Sequence, residues 1–102
     1  MRAKQKHRME YVIVRSNMAG VFAGYLREET GNVVVLEDAR RIWYWAGAAS
    51  LSQLAMEGTK KPDECRFPVE MFEVKIFDVI EIIPCTEEAR QSIANVPIWE
   101  AT

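Results

Sequence analysis

Arg40, Arg41, Trp43, Tyr44 and Trp45 fall within six positions, and Gly47, Ser50, Ser52 and Gln53 fall within the next eight. These residue types can hold a nucleotide. A guanidinium bonds phosphate through charge-assisted hydrogen bonds. An indole face stacks a base, worth about 1–3 kcal/mol per base. Gly47 would let backbone approach a ligand closely. A helix capped by Ser50 would aim the N–H groups of Ser52 and Gln53 at an anion. On a strand, Arg41, Trp43 and Trp45 share one face, so a purine could stack on an indole while Arg41 grips its phosphate. Arg15 and Arg27, on neighbouring strands, are secondary candidates, and Lys60 and Lys61 lie on a loop that could fold over a ligand. The same residues would also serve as packing between a strand and a helix. For Trp43 and Trp45 the sequence leaves both roles open.

Catalysis is poorly supplied. His7 is the sole histidine and sits near the chain start, so no Ser–His or Cys–His pair is expected. Cys65 and Cys85 form no C-x-x-C pair, and no His/Cys cluster has zinc spacing. Neither a Gly-x-Gly-x-x-Gly nor a Walker loop is present. The expectation is a non-enzymatic protein with no cofactor and no metal.

The elements that must position these residues read as follows. Tyr11–Arg15 is β-rich, Asn17–Gly20 is a turn, and Val21–Glu28 is a second strand interrupted by Gly24. Glu29–Asn32 makes a hairpin turn into Val33–Leu36, a run apolar on both faces. Glu37-Asp38-Ala39 is expected to reverse the chain into a fourth strand, Arg40–Trp45. Leu51, Leu54 and Ala55 have helical spacing between Ala48 and Met56, with Ser50 as N-cap and Gly58 as stop. Phe67–Ile76 and Val79–Ile83 are further strands, broken apart at Asp78. Thr86 caps a short helix to Ala94, with Glu87 and Glu88 in its first turn. Pro97-Ile98-Trp99 is an apolar tail that docks on the body or on a neighbouring subunit. The predicted fold is α+β: an antiparallel meander of about six strands, strongly bent or closed into a small open barrel, with two short helices. Residues 1–9 are expected to be a flexible basic arm and 10–102 a single domain.

The 102 residues are 49% hydrophobic, which is ample for one folded domain and too rich for a disordered chain. Net charge is −2, split between +3 over residues 1–41 and −5 over 42–102. Spare apolar surface and complementary halves favour a homo-oligomer. A pI near 5.4 argues against long nucleic acid, which needs a broad basic face. No signal-like h-region and no membrane-length apolar run occur, so an intracellular protein without a membrane partner is expected.

Tyr11–Arg15, Ala19–Leu26, Ala39–Ala48 with its Arg-Arg-Ile-Trp-Tyr-Trp run, Leu51-Ser52-Gln53-Leu54-Ala55 and Ile80–Pro84 carry a resemblance. The chain resembles, over roughly residues 10–100, a widespread family of small tailed-phage and prophage proteins of unknown function. That resemblance implies a phage accessory protein in a bacterial host cytoplasm. It transfers no catalytic motif. Phage proteins of this size include sponges that sequester the cyclic nucleotide or cyclic ADP-ribose signals of CBASS or Thoeris immunity. With the Arg/Trp cluster, the leading expectation is an anti-defence sponge for such a nucleotide-type signal. The alternative is a protein-binding or structural assembly module acting through a Trp-rich surface.

Overall fold

The computed structural model describes residues 9–101. The basic arm expected over residues 1–9 lies, except for Met9, outside the described residues. Five strands form one antiparallel sheet: β1 (Tyr11–Ser16), β2 (Gly20–Thr30), β3 (Val33–Arg41), β4 (Met71–Ile76) and β5 (Val79–Pro84). Their order across the sheet is β4-β3-β2-β1-β5. Two helices, α1 (Leu51–Glu57) and α2 (Glu87–Ala94), complete an α+β domain.

β4 and β5 lie at opposite edges, yet only Phe77 and Asp78 join them. Five flat strands would hold the edges about 19 Å apart. Two intervening residues span at most about 11 Å between flanking Cα atoms. The sheet must therefore curl until its edges converge at this corner. Asp78 turns it with a positive φ of 58°. Asn17 N–H donates to Asp78 O at 3.0 Å and Val79 N–H to Asn32 O at 2.8 Å, binding the corner to two other turns. The sheet stays open, because β4 and β5 share no ladder.

Alternation along the strands then builds two cores. Val12, Val14, Phe22, Val34, Leu36 and Ile76 fill the space inside the curl. Tyr11, Ile13 and Ala23 point the other way and are covered by Leu54 and Ala55 of α1, Ile93 of α2, and Ile42 and Phe67. The apolar run Val33–Leu36 is central as expected, with Val34, Val35 and Leu36 buried.

The count of six strands is corrected to five. Glu37-Asp38-Ala39 does not reverse the chain; it continues one strand through a bulge. Ala23 pairs with Arg40 and Tyr25 with Glu37, so β3 spends one more residue than β2 across this interval. Asp38 absorbs the extra residue at φ 49°. Gly24 faces the bulge, where a Cβ would stand 2.8 Å from Ala39 Cβ and 2.9 Å from Ala39 Cα. Gly24→Ala is expected to cost about 1–3 kcal/mol, because β3 backbone must retreat. Urea unfolding checks this, and a loss below about 0.5 kcal/mol would contradict the close approach.

α1 starts at Leu51, directly after the expected N-cap Ser50, whose Oγ accepts Gln53 N–H. Its C-terminal end is tied to α2: Thr86 Oγ1 donates to Met56 O at 2.8 Å and caps α2 by accepting Ala89 N–H at 3.0 Å. The expected strand Phe67–Ile76 is shorter, beginning at Met71; Phe67 instead bridges Ile98 in parallel. The apolar tail therefore docks on its own body.

Candidate functional site

β3 ends at Arg41, so Trp43 and Trp45 are not neighbours on a strand face. Trp43 is 63% exposed. Trp45 is half-buried against the helix-side core, and its Nε1–H donates to Ala48 O at 3.2 Å. One indole is thus exposed at the surface and the other is structural.

Arg40 points into the protein and is 3% exposed. Its guanidinium donates to the carbonyls of Phe67 at 2.7 Å, Pro68 at 3.2 Å, Ile93 at 3.0 Å, Val96 at 2.6 Å and Pro97 at 3.5 Å. Burial lowers its pKa from the ordinary arginine value. α2 has no basic residue in its last turn. Arg40 supplies that cation from β3, where the helix dipole favours it. Its donors are spent on backbone, so Arg40 has none to offer a phosphate.

The remaining candidates scatter. Arg41 donates to Ala19 O at 2.9 Å and lies over the Phe22 ring. Arg15 pairs with Glu81 at 2.8 Å. Arg27 bridges Glu37 at 2.9 Å and Glu73 at 2.6 Å, compensating the buried Glu37 carboxylate. Gly47 is packed under Thr59, Lys60 and Lys61 rather than facing a ligand. Ser50 Oγ is used by Gln53 N–H, and Gln53 Oε1 accepts Ala49 N–H at 2.7 Å. Ser50 and the Gln53 side chain are thus engaged with local backbone at the start of α1, and Ser52 stands exposed beside them. The cluster legible in the sequence is therefore divided by the fold into a buried clamp, a packed loop and one exposed aromatic pair, Trp43 and Tyr44.

That pair belongs to a different constellation. Tyr44 bridges Arg66: Arg66 N–H donates to Tyr44 O at 2.8 Å, and Trp43 N–H donates to Arg66 O at 3.1 Å. Trp99 N–H donates to Phe67 O at 3.0 Å, bringing the tail alongside. Trp43 and Trp99 stack with centroids 6.4 Å apart and 12° between planes. The Arg66 guanidinium lies 5.7 Å from the Tyr44 centroid and 5.6 Å from that of Trp99. These residues, with Asp63, Glu64 and Cys65 but without Trp43, line a shallow cleft of about 580 Å³. Arg15, Arg27, Arg40, Arg41 and Arg90 all donate to carbonyls or carboxylates. Among the described arginines, Arg66 alone has neither an ion pair nor a side-chain hydrogen bond. Sequence reasoning missed Arg66, because its aromatic neighbours come from positions 44 and 99. The only sequence signal was an arginine directly preceding a Phe-Pro pair.

A second cleft of about 520 Å³ lies between Met9, Tyr11, Tyr25, Cys85, Glu87 and Arg90. Arg90 is held by Glu87 at 2.6 Å, and this pairing draws the Glu87 carboxyl down to about 2. Burial pushes the Cys85 thiol up to about 12, so it stays protonated at neutral pH and is a poor nucleophile. Among the described residues, no group of three or more His, Cys, Asp or Glu could hold a metal ion, and no helix is long and apolar enough to cross a membrane.

A bent antiparallel sheet with both helices on its outer face, carrying an exposed aromatic–guanidinium surface, defines a small α+β domain. The chain belongs to the DUF6948 family, a domain of unknown function, whose match spans residues 9–93. No curated protein and no solved structure matches the chain. The family match covers Trp43, Tyr44 and Arg66 and stops short of Trp99.

Proposed function

We propose that this chain is a non-catalytic binding protein of the phage-accessory type, working in a bacterial host cytoplasm, whose recognition surface is Trp43, Tyr44, Arg66 and Trp99. The observation that carries the reading is the unpaired Arg66 guanidinium, oriented against two aromatic rings beside a third. Stacking restricts the side chain in advance, so less rotamer freedom is lost on binding. Its N–H fork is available for a carboxylate. Trp, Tyr and Arg are the residues that dominate protein interfaces energetically. The cleft is shallow and carries Asp63 and Glu64, a lining better matched to a mixed-charge protein surface than to a polyphosphate. The partner is accordingly a host or phage protein that offers a carboxylate to Arg66 and apolar surface to Trp43.

A second reading, sequestration of a nucleotide-type immune signal, is favoured by one observation. The exposed indole of Trp43 lies next to the guanidinium-bearing ring stack, so a base and a phosphate could be held together. In this version Arg66 takes the phosphate role that Arg40 cannot fill.

Arg66→Ala and Trp43→Ala test both. Loss of a hot-spot arginine or tryptophan is expected to weaken a protein complex by about 2 kcal/mol or more, roughly thirtyfold in Kd. The readout is calorimetry against a partner co-purified from host lysate by the parent chain. A cyclic di- and trinucleotide and cyclic ADP-ribose panel, read by melting temperature, tests the second reading. Partner capture that is indifferent to both substitutions sinks the first reading. A flat melting panel sinks the second.

A further inference from the structure

The two edges of the sheet are not alike. β5 ends on Pro84, its register with β1 shifts at Arg15/Ser16, and its Glu81 is pinned to Arg15 at 2.8 Å. Proline, irregularity and fixed charge are the means by which sheet edges are kept from pairing. β4 has neither the proline nor the irregularity, although its Glu73 is likewise held, by Arg27 at 2.6 Å. It pairs with β3 from Val34↔Ile76 to Ala39↔Met71 with no register shift, and it contains no proline. Its outer side forms no ladder with any described strand. Apolar surface flanks it, with Val69, Phe72 and Phe77 each 60% exposed.

The order of residues in β4 says what fits there. Phe72-Glu73-Val74-Lys75-Ile76 is symmetric about Val74 in apolar character and opposite in charge on either side. Laid antiparallel on a second copy of itself with Val74 facing Val74, the strand sets each Glu73 opposite the other copy's Lys75. It also sets each Phe72 opposite Ile76 and each Met71 opposite Phe77. Directly opposed pairs on one face are the stabilising unit of a sheet. Glu73 and Lys75 are both exposed. Arg27 contacts Glu73 through Oε1, which leaves the second carboxylate oxygen available to the lysine.

We propose that two copies of this chain join through their β4 edges about a two-fold axis at Val74, making one continuous ten-stranded sheet with two Glu73–Lys75 pairs across the seam. This inference is independent of the Arg66 surface, which uses other residues. Such a pairing closes on itself, so assembly stops at the dimer.

The test is sedimentation equilibrium on the full chain. The parent is expected to dimerise reversibly. Glu73→Lys and Lys75→Glu each set like charges opposite one another at both pairs, and each is expected to weaken the dimer by about tenfold or more. Mixed in equal amounts they regain opposite charges at both pairs, and dimerisation is expected to return. Should Glu73→Lys fail to fold for want of its Arg27 contact, Val74→Cys replaces it. Two cysteines at the axis lie within disulfide reach and should form a covalent dimer on mild oxidation, which the parent with its native Cys65 and Cys85 does not. A parent monomeric at every attainable concentration would overturn the proposal. So would open-ended oligomers, charge variants that associate like the parent, or a Val74→Cys chain that fails to crosslink.

Discussion

Arg40→Ala is expected to lower folding stability by about 3–4 kcal/mol. Each hydrogen bond from a charged donor is worth about 1.5–3 kcal/mol, and each buried carbonyl left without a partner costs about 1–3 kcal/mol. Arg40 serves five carbonyls drawn from three places: the Phe67-Pro68 segment, the last turn of α2, and the tail beyond it. Removing it deprives the α2 C-terminus of its counter-charge and unties the tail from the segment beside it. Arg40→Lys is not expected to rescue, because an ammonium has three donors at one point and cannot span carbonyls that a planar fork reaches together. Urea unfolding of the parent, the Ala and the Lys chains is the measurement. If both variants stay within about 1 kcal/mol of the parent, the clamp is not structural, and Arg40 returns as a ligand candidate.

The second large effect is at Gly47. It has a φ of 80°, and a Cβ there would meet Lys61 N, Thr59 Oγ1 at 2.6 Å and Lys60 N at 2.7 Å. Two of these atoms are backbone, so the loop itself must move. Moving it breaks the Lys60 N–H bond to Gly47 O at 3.1 Å and the bond from Thr59 Oγ1 to Ala46 O. It also disturbs Thr59 N–H, which reaches Ser92 Oγ of α2 at 3.0 Å. Positive-φ strain of about 1–2 kcal/mol adds to overpacking of about 1–3 kcal/mol. Gly47→Ala should therefore cost about 2–5 kcal/mol, a fall of roughly 10 °C or more in melting temperature for a domain of this size. Gly31→Ala is the control: it has a φ of 60° and nothing within 4 Å of its would-be Cβ. It carries the strain without the collision and should lose only the first part. Equal losses at the two positions would show that loop 59–61 does not press on Gly47.

Much of the fold was legible. Alternation in Tyr11–Arg15 and the apolar run at Val33–Leu36 reported strands because those periods follow from local geometry. Ser50 and Thr86 announced helix starts because capping involves residues three apart. Asp78 and Pro84 marked ends for equally local reasons. The failure at Glu37-Asp38-Ala39 has a physical cause. An acidic pair after an apolar run usually marks a turn, but here Arg27 and Gly24 on the next strand make it a bulge. Arg27 neutralises Glu37, which is 2% exposed, and Gly24 makes room for the backbone at Ala39. Neither partner is adjacent in sequence.

The site shows the same division more sharply. Arginine, tryptophan and tyrosine do lie together at a surface. The members were exchanged. Arg40 and Trp45 turned inward, and Arg66 and Trp99 took their places beside Trp43 and Tyr44.

Order along the chain settled which segments become strands and helices, and that arginines and aromatics dominate residues 40–45. Only the folded arrangement decided which guanidinium is locked among carbonyls and which remains available. A side chain's partners are fixed by where distant segments cross. Here that crossing is set by a two-residue corner at Phe77-Asp78 that curls the sheet, and by a tail that returns to lie along Phe67.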